Sequence, residues 1–417
     1  MRSAFDHQVF AVVPTCGPGD VVPAVARARD ACAYWSVTAT ERRLRVLSSL
    51  RRSLAVGRRP LRAALVHGCG LGPMDADAEL ALANRFLSHS RSLVHAHYGV
   101  PSLRKRTSQA LRRTQGRGGD PRRSPAVVCA TADTARPLMS LLESVAPALA
   151  RGSGVLTALD APAAVVAAQV LRFSRTAGLP DGVWQLLVPA DPSLMPVVRA
   201  LLSEHTDALA PRCCAPRTEG MAGPSGLTVV RHDANVARAA RAAATACFER
   251  AGRLCSATPL VAVHKDCWEP FLAEFVTAVA RVGGRSRSDS VLLGPQAERL
   301  GAWYTEALSA GAQWTGRPPM SVSQPPGILA ADISGAQGAL RRVPPGPVAL
   351  LLRYTAWAEV LDLARHTNRH LGLFTRTSAT QLRPQFAMLP SYAFSPNTSP
   401  RAGLGPASQA AAETEHE

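Results

Sequence analysis

Apolar residues recur at helical spacing from Asp20 to Leu54. Val22, Val25 and Ala26 share one predicted face, and Leu44, Leu47, Leu50 and Leu54 return every three or four residues. Thr38 followed by Glu41 reads as a capping box that opens the second of two helices here. A third helical stretch, Asp75 to Leu93, follows a glycine-rich turn. The pattern then alternates. Pro125 to Cys129 is apolar and of strand length, Leu138 to Ala150 is helical, and Gly154 to Leu156 leads into a helix over Ala163 to Ala177. Gly178 stands where a helix cap belongs, and Val183 to Val188 predicts the next strand. The second half repeats the style. Asn235 caps a predicted helix over Val236 to Ala251 that Gly252 ends, followed by a strand at Leu260 to Val263 and an amphipathic helix over Trp268 to Val282. Gly346 to Leu352 and Ala356 to His366 add a strand and a helix. Strands alternating with helices predict an α/β fold around parallel sheet.

Composition narrows the class. The chain has 417 residues, more than one hydrophobic core usually serves, so two domains are expected. With 47% hydrophobic and 18% charged residues it is too apolar to be disordered throughout. The formal charge is +17, almost all of it arginine; Lys105 and Lys265 are the only lysines. Arginine alongside abundant alanine, glycine and proline reads as base composition. From Pro101 to Arg123 eight basic residues face the single acid Asp120, which predicts a solvated arm. No aromatic side chain interleaves with that run, so nucleic acid is not an expected partner. Its longest apolar stretch, Val155 to Leu171, contains Asp160 and Pro162 and is too short to cross a bilayer. Nine cysteines, an odd number without a CxxC pair, predict neither a disulfide framework nor a metal site. The expectation is a reduced, cytoplasmic protein.

One cysteine stands out. Cys255 lies three residues beyond Gly252, with Arg253 near it to favour the thiolate. Its surroundings, Ala242 to Cys255 (AAATACFERAGRLC) and Pro259 to His264 (PLVAVH), resemble the catalytic-cysteine region of the aldehyde dehydrogenase superfamily, with succinate-semialdehyde dehydrogenases the nearest likeness. Ala177 to Val188, Leu293 to Gly316, the Gly346-Pro347-Val348 triplet and the glycines Gly403 and Gly405 resemble further family segments in the same order. The resemblance implies a Rossmann-like cofactor domain over 1–100 and 124–231 and a catalytic domain over 232–395, with a basic divergent arm or disordered loop expected over 101–123 and a flexible tail over 396–417. It also implies NAD or NADP as cofactor, a small aldehyde as substrate, and a homo-oligomer or a pairing with an active paralogue.

In such enzymes a thiolate attacks the aldehyde, an asparagine and a backbone N–H hold the oxyanion, hydride passes to NAD(P), and a glutamate activates water. Cys255 takes the nucleophile's place. Elsewhere the pattern is broken, which implies an impaired enzyme with much of its site lost. Ala135 stands where the resemblance puts the oxyanion asparagine, and Met221 where it puts the general base. Glu219, two residues earlier, is a surrogate base only if the loop shifts register, and Glu249 reads as a surface charge. Ala158 replaces the lysine that holds the adenosine ribose, and Val343 the glutamate that holds the nicotinamide ribose. The phosphate-covering turn aligns with Pro211 to Cys214, leaving Arg212 as a local anion contact and Gly346 and Pro347 as the remaining cofactor-facing candidates. His370 stands where the family has a glycine. Two alternatives stay open: a catalytically inactive family member that acts as a binding or regulatory subunit, and a Cys255 thiol that carries acyl groups or hydrolyses without NAD.

Overall fold

The computed structural model describes residues 3–6, 8–95, 126–209, 226–254, 256–285, 290–316, 318, 327–335, 338–341, 343–366, 370–386 and 393–397. The basic segment 101–123 and the chain beyond 397 lie outside the described residues. Two compact units emerge: one takes the described parts of Met1–Cys69 and Ala76–Ala215, the other those of Gly70–Asp75 and Pro216–Gly403.

In the first unit, strands β1 (Val127–Ala130), β2 (Gly154–Ala158), β3 (Trp184–Leu187) and β4 (Ala208–Leu209) form a parallel sheet in the order β3-β2-β1-β4. Every residue of β1 and β2 is buried, as continuous apolar runs covered on both faces must be. Helix α1 (Val21–Val37) covers one face, and its buried positions are Val21, Ala24, Val25, Ala28, Cys32 and Trp35. The predicted face was offset: Val22 and Ala26 are exposed. A one-residue rotation separates the two assignments, and the large Trp35 side chain, wholly buried with its indole N–H on the Leu149 carbonyl at 3.0 Å, fixes the observed one.

Helix α2 (Thr40–Val56) buries Val46, Leu47, Leu50 and Leu54 as its spacing requires. The capping box at Thr38 and Glu41 does not form. Thr38 ends α1 instead, its hydroxyl donating to the Tyr34 carbonyl at 3.2 Å, while Arg43 occupies the corner. The buried Arg43 guanidinium donates to Ala150 O at 2.9 Å, Ser36 O at 3.2 Å, Thr40 Oγ1 at 3.1 Å and Thr38 O. Helix α3 (Arg58–Ala63) follows Gly57 directly, and α4 (Pro73–Ser88) comes next. Helices α5 (Pro137–Arg151) and α6 (Ala161–Thr176) lie between the sheet and α2. The wholly buried Glu79 accepts the Met139 N–H at 2.8 Å and so satisfies one free donor at the start of α5. Gly178, at φ +98°, closes α6 as predicted. Helix α7 (Met195–His205) joins α1 on the opposite face.

The second unit is built on seven strands: β5 (Gly226–Val230), β6 (Leu260–His264), β7 (Gln313–Trp314), β8 (Gly327–Asp332), β9 (Val348–Tyr354), β10 (His370–Phe374) and β11 (Ala393–Pro396). Their order is β11-β10-β5-β6-β9-β8-β7, parallel except for β7 at the edge. Helices α8 (Val236–Phe248) and α9 (Trp268–Arg285) pack on one face, with Phe271 and Phe275 wholly buried. Helices α10 (Gly294–Ser309), α11 (Trp357–His366) and α12 (Ala379–Phe386) follow in the chain, and side chains from all three join the core on the other face. No helix among the described residues is long and apolar enough to cross a membrane.

Candidate active site

The segment around Cys255 arrives at the amino ends of four parallel strands. Gly226 pairs with His370, Leu227 with Leu260, and Leu260 with Leu350, so β5, β6, β9 and β10 all begin at this edge. Helix α8 is capped by the Asn235 side chain, which accepts the Arg238 N–H at 3.0 Å. The helix stops at Phe248 rather than at Ala251. Arg250, Ala251 and Gly252 take successive φ values of 51°, 55° and 63°, a left-handed run that no right-handed helix can contain.

Contact with the segment before β9 holds this run. A Cβ on Gly252 would stand 1.9 Å from the Gly346 carbonyl oxygen and 2.7 Å from that of Cys247. The Gly346 N–H donates to Gly252 O at 3.3 Å, and a Cβ on Gly346 would come within 2.6 Å of Leu300 Cδ2. Two glycines therefore let two backbones touch. Beyond Cys255, Thr258 shares a 2.8 Å hydrogen bond with Thr228 on β5, and its carbonyl accepts the Cys247 Sγ–H at 3.0 Å. Burial pushes the Cys247 thiol well above its ordinary range, so this cysteine serves packing. Arg250 and Arg253 are buried on the Gly252 side of Cys255, at 6% and 5% exposure.

Cys255 itself, Glu219, Arg212 and Met221 lie outside the described residues. The structure brings the chain on both sides of Cys255 to Gly346, Gly226 and the start of β10. Gly346 serves close backbone packing, and the Pro347 carbonyl accepts the Gly327 N–H at 2.8 Å. His370 is the buried first residue of β10, and Glu249 is exposed. Val343, at 3% exposure, is part of the apolar core with Leu300 and Leu340. Sequence reasoning missed the left-handed run and the part played by Arg43, because neither has a local signature; a buried arginine looks like any other in an arginine-rich chain.

At the carboxyl edge of the first unit's sheet, where open parallel sheets hold ligands, the turns after β1, β2 and β3 mix apolar residues with Asp133, Asp160 and Asp191. Ala135 is wholly buried in the turn after β1, its N–H held by Asp133 Oδ1 at 2.9 Å. Ala158, the last residue of β2, is wholly buried in the core with α1 and α7. The next helix, α6, begins with the Asp160 carboxylate and with Pro162 in its first turn. No group of three or more His, Cys, Asp or Glu side chains among the described residues could hold a metal ion.

Comparison with known proteins agrees with this architecture. The aldehyde dehydrogenase family profile matches residues 1–207 and 221–381. A vanillin dehydrogenase from Amycolatopsis is 26% identical over 383 residues, covering 87% of this chain and 76% of the relative. The human 2-aminomuconic semialdehyde dehydrogenase is 23% identical over 396 residues, covering 88% and 80%. Among solved structures, the NAD-dependent benzaldehyde dehydrogenase of Corynebacterium glutamicum superposes with a TM-score of 0.72 at 20% identity, covering 96% of this chain and 90% of the other. The NADP complex of a glyceraldehyde-3-phosphate dehydrogenase from Bacillus halodurans gives a TM-score of 0.76 at 16% identity, covering 97% and 88%. The two α/β units, their parallel strands and a profile match over most of the length agree, and the chain belongs to the aldehyde dehydrogenase family.

Proposed function

We propose that this protein captures a small aldehyde on the Cys255 thiol and that its oxidation beyond that adduct is impaired. One observation carries the reading. Ala135 and Ala158 are wholly buried and Val343 nearly so, at positions where the family resemblance calls for an asparagine, a lysine and a glutamate. The scaffold persists while groups that touch oxyanion and cofactor are replaced by packing residues.

The capture step needs no oxidant. The Cys255 thiolate forms a C–S bond to the carbonyl carbon, the carbonyl π pair moves to oxygen, and that oxygen takes a proton from solvent. Arg253, close in sequence, favours the thiolate. With Ala135 in place of a side-chain donor, the oxyanion has lost a group typically worth about 10²–10³ in rate. Glu219 is the proposed surrogate base and Arg212 the proposed anion contact. The nicotinamide cofactor that the family implies does not fit the side chains at the ribose contacts the resemblance assigns: Ala158 ends β2 in one apolar core and Val343 is buried in another. No step is therefore routed through it.

A small semialdehyde is the proposed substrate, of the succinate-semialdehyde kind. The likeness around Cys255 supports this choice, as do relatives named for 2-aminomuconic and malonate semialdehydes. The same three buried side chains also favour a second reading, an inactive family member that binds a partner or metabolite. Alkylation of Cys255 followed by mass spectrometry tests capture, and absorbance of reduced nicotinamide tests oxidation. Succinate semialdehyde should slow alkylation in proportion to its concentration, while turnover with NAD or NADP stays at least about 10²-fold below that of the vanillin dehydrogenase relative. Turnover equal to that enzyme's, or alkylation indifferent to every aldehyde tried, would sink the proposal. A Cys255→Ser variant that keeps its biological effect favours the inactive-member reading.

A further inference from the structure

Helix α2 presents its arginines in two different ways. Arg43 is buried in hydrogen bonds, and after the helix Arg58 and Arg62 pair with Asp77 at 2.9 and 3.1 Å. Arg42, Arg45 and Arg52 are exposed, recur at spacings of three and seven, and so share the outer face over about 15 Å of helix. Arg59 stands exposed on the first turn of α3, directly after Gly57. None of these four has a carboxylate partner among the described residues, and Glu41 is the only acid in α2. The opposite face, with Leu47, Leu50 and Leu54 buried, is packed on α5 and α6, which fixes the stripe as a rigid platform.

We infer that this arginine stripe docks on the phosphate backbone of a nucleic-acid duplex without reading its sequence. Arginine is suited to phosphate because its planar fork donates two parallel hydrogen bonds to one anion. Ser49 lies within the same face, and hydroxyls join arginines in backbone contacts. Other occupants fit less well. A protein partner calls for an apolar, often aromatic centre, and a membrane surface calls for a row of large apolar side chains. Within the stripe Val56 is the one large apolar side chain that is exposed. The absence of aromatic side chains from it also disfavours a single strand, which binds by stacking. The inference is independent of Cys255 and of the segment 101–123. It revises the sequence expectation, which weighed that segment alone and could not see charge gathered on one folded face.

Fluorescence anisotropy of a short labelled DNA duplex with the full chain, across about 50–200 mM salt, tests it. Four phosphate contacts predict a slope of log affinity on log salt of about −3 to −4. The variant Arg42→Ala, Arg45→Ala, Arg52→Ala, Arg59→Ala should lose binding while keeping its circular dichroism and melting, since alanine suits an exposed helix. Deletion of residues 101–123 should leave the slope in place. Undiminished binding by the fourfold variant overturns the inference. So does loss of binding by the deletion alone, or equal affinity at matched salt for polyglutamate or phosphatidylserine vesicles.

Discussion

At position 252 a side chain has nowhere to go. Its φ of +63° already favours glycine, and the Gly346 carbonyl would meet a methyl group at 1.9 Å. Both neighbours are backbone, so rotamer changes cannot relieve the clash. Gly252→Ala should cost about 3 kcal/mol or more, through left-handed strain and forced separation of the two segments. Urea unfolding measures it; a midpoint within error of the parent would mean the segments are free to part. Arg250 and Ala251 adopt the same left-handed region without glycine's freedom, which costs of order 1–3 kcal/mol each. Such strain four and five residues before the proposed nucleophile persists because the surrounding backbone over-determines it. Sequence placed Gly252 at a helix end correctly in kind, but two non-glycine residues with positive φ leave no mark that periodicity can detect.

Between elements, the joint between β5 and β10 rests on one acid. Just past β5, the Asp233 carboxylate accepts hydrogen bonds from the Thr375 and Thr377 hydroxyls at 2.9 Å, the Thr377 N–H at 2.9 Å and the Arg376 N–H at 3.1 Å. Burial alone would raise its pKa. The donors, with the Arg231 charge, outweigh burial and hold it at about 2. Since the folded value lies below the unfolded one near 3.9, the joint contributes fully above about pH 4 and is lost as pH falls toward 2. Asp233→Asn should remove about 1 kcal/mol, allowing for solvent screening, and flatten the stability profile in that window. Urea midpoints at stepped pH decide it; parallel profiles for parent and variant would contradict the role. The neighbouring helix from Val236 and the strand at Leu260 were legible from apolar spacing, but β5 and β10 themselves were not among the predicted strands. Their polar ties were not legible either, since Asp233 and Thr377 are 144 residues apart and only the folded sheet brings them together.

Across the whole molecule, packing is what the fold shares with solved structures of low identity. The chain superposes on two of them at 20% and 16% identity, while Ala158 and Val343 sit within its apolar cores and Ala135 is wholly buried. Under the proposed function, an apolar residue in place of a lysine or glutamate removes the desolvation cost of a charge, a change compatible with a stable fold and incompatible with a ribose contact at that position. The consequence can be read without any activity. A ligand that binds only the folded state at about a hundred times its dissociation constant adds about 2.7 kcal/mol of stability, which raises a melting temperature by several degrees. The NAD-dependent benzaldehyde dehydrogenase of Corynebacterium glutamicum should show such a rise with NAD. This protein should melt at the same temperature with and without NAD or NADP at that concentration. A matching rise would mean that residues other than the lysine and glutamate of the family resemblance hold the cofactor. The buried alanines would then mark a relocated site, and impaired oxidation would lose its physical basis.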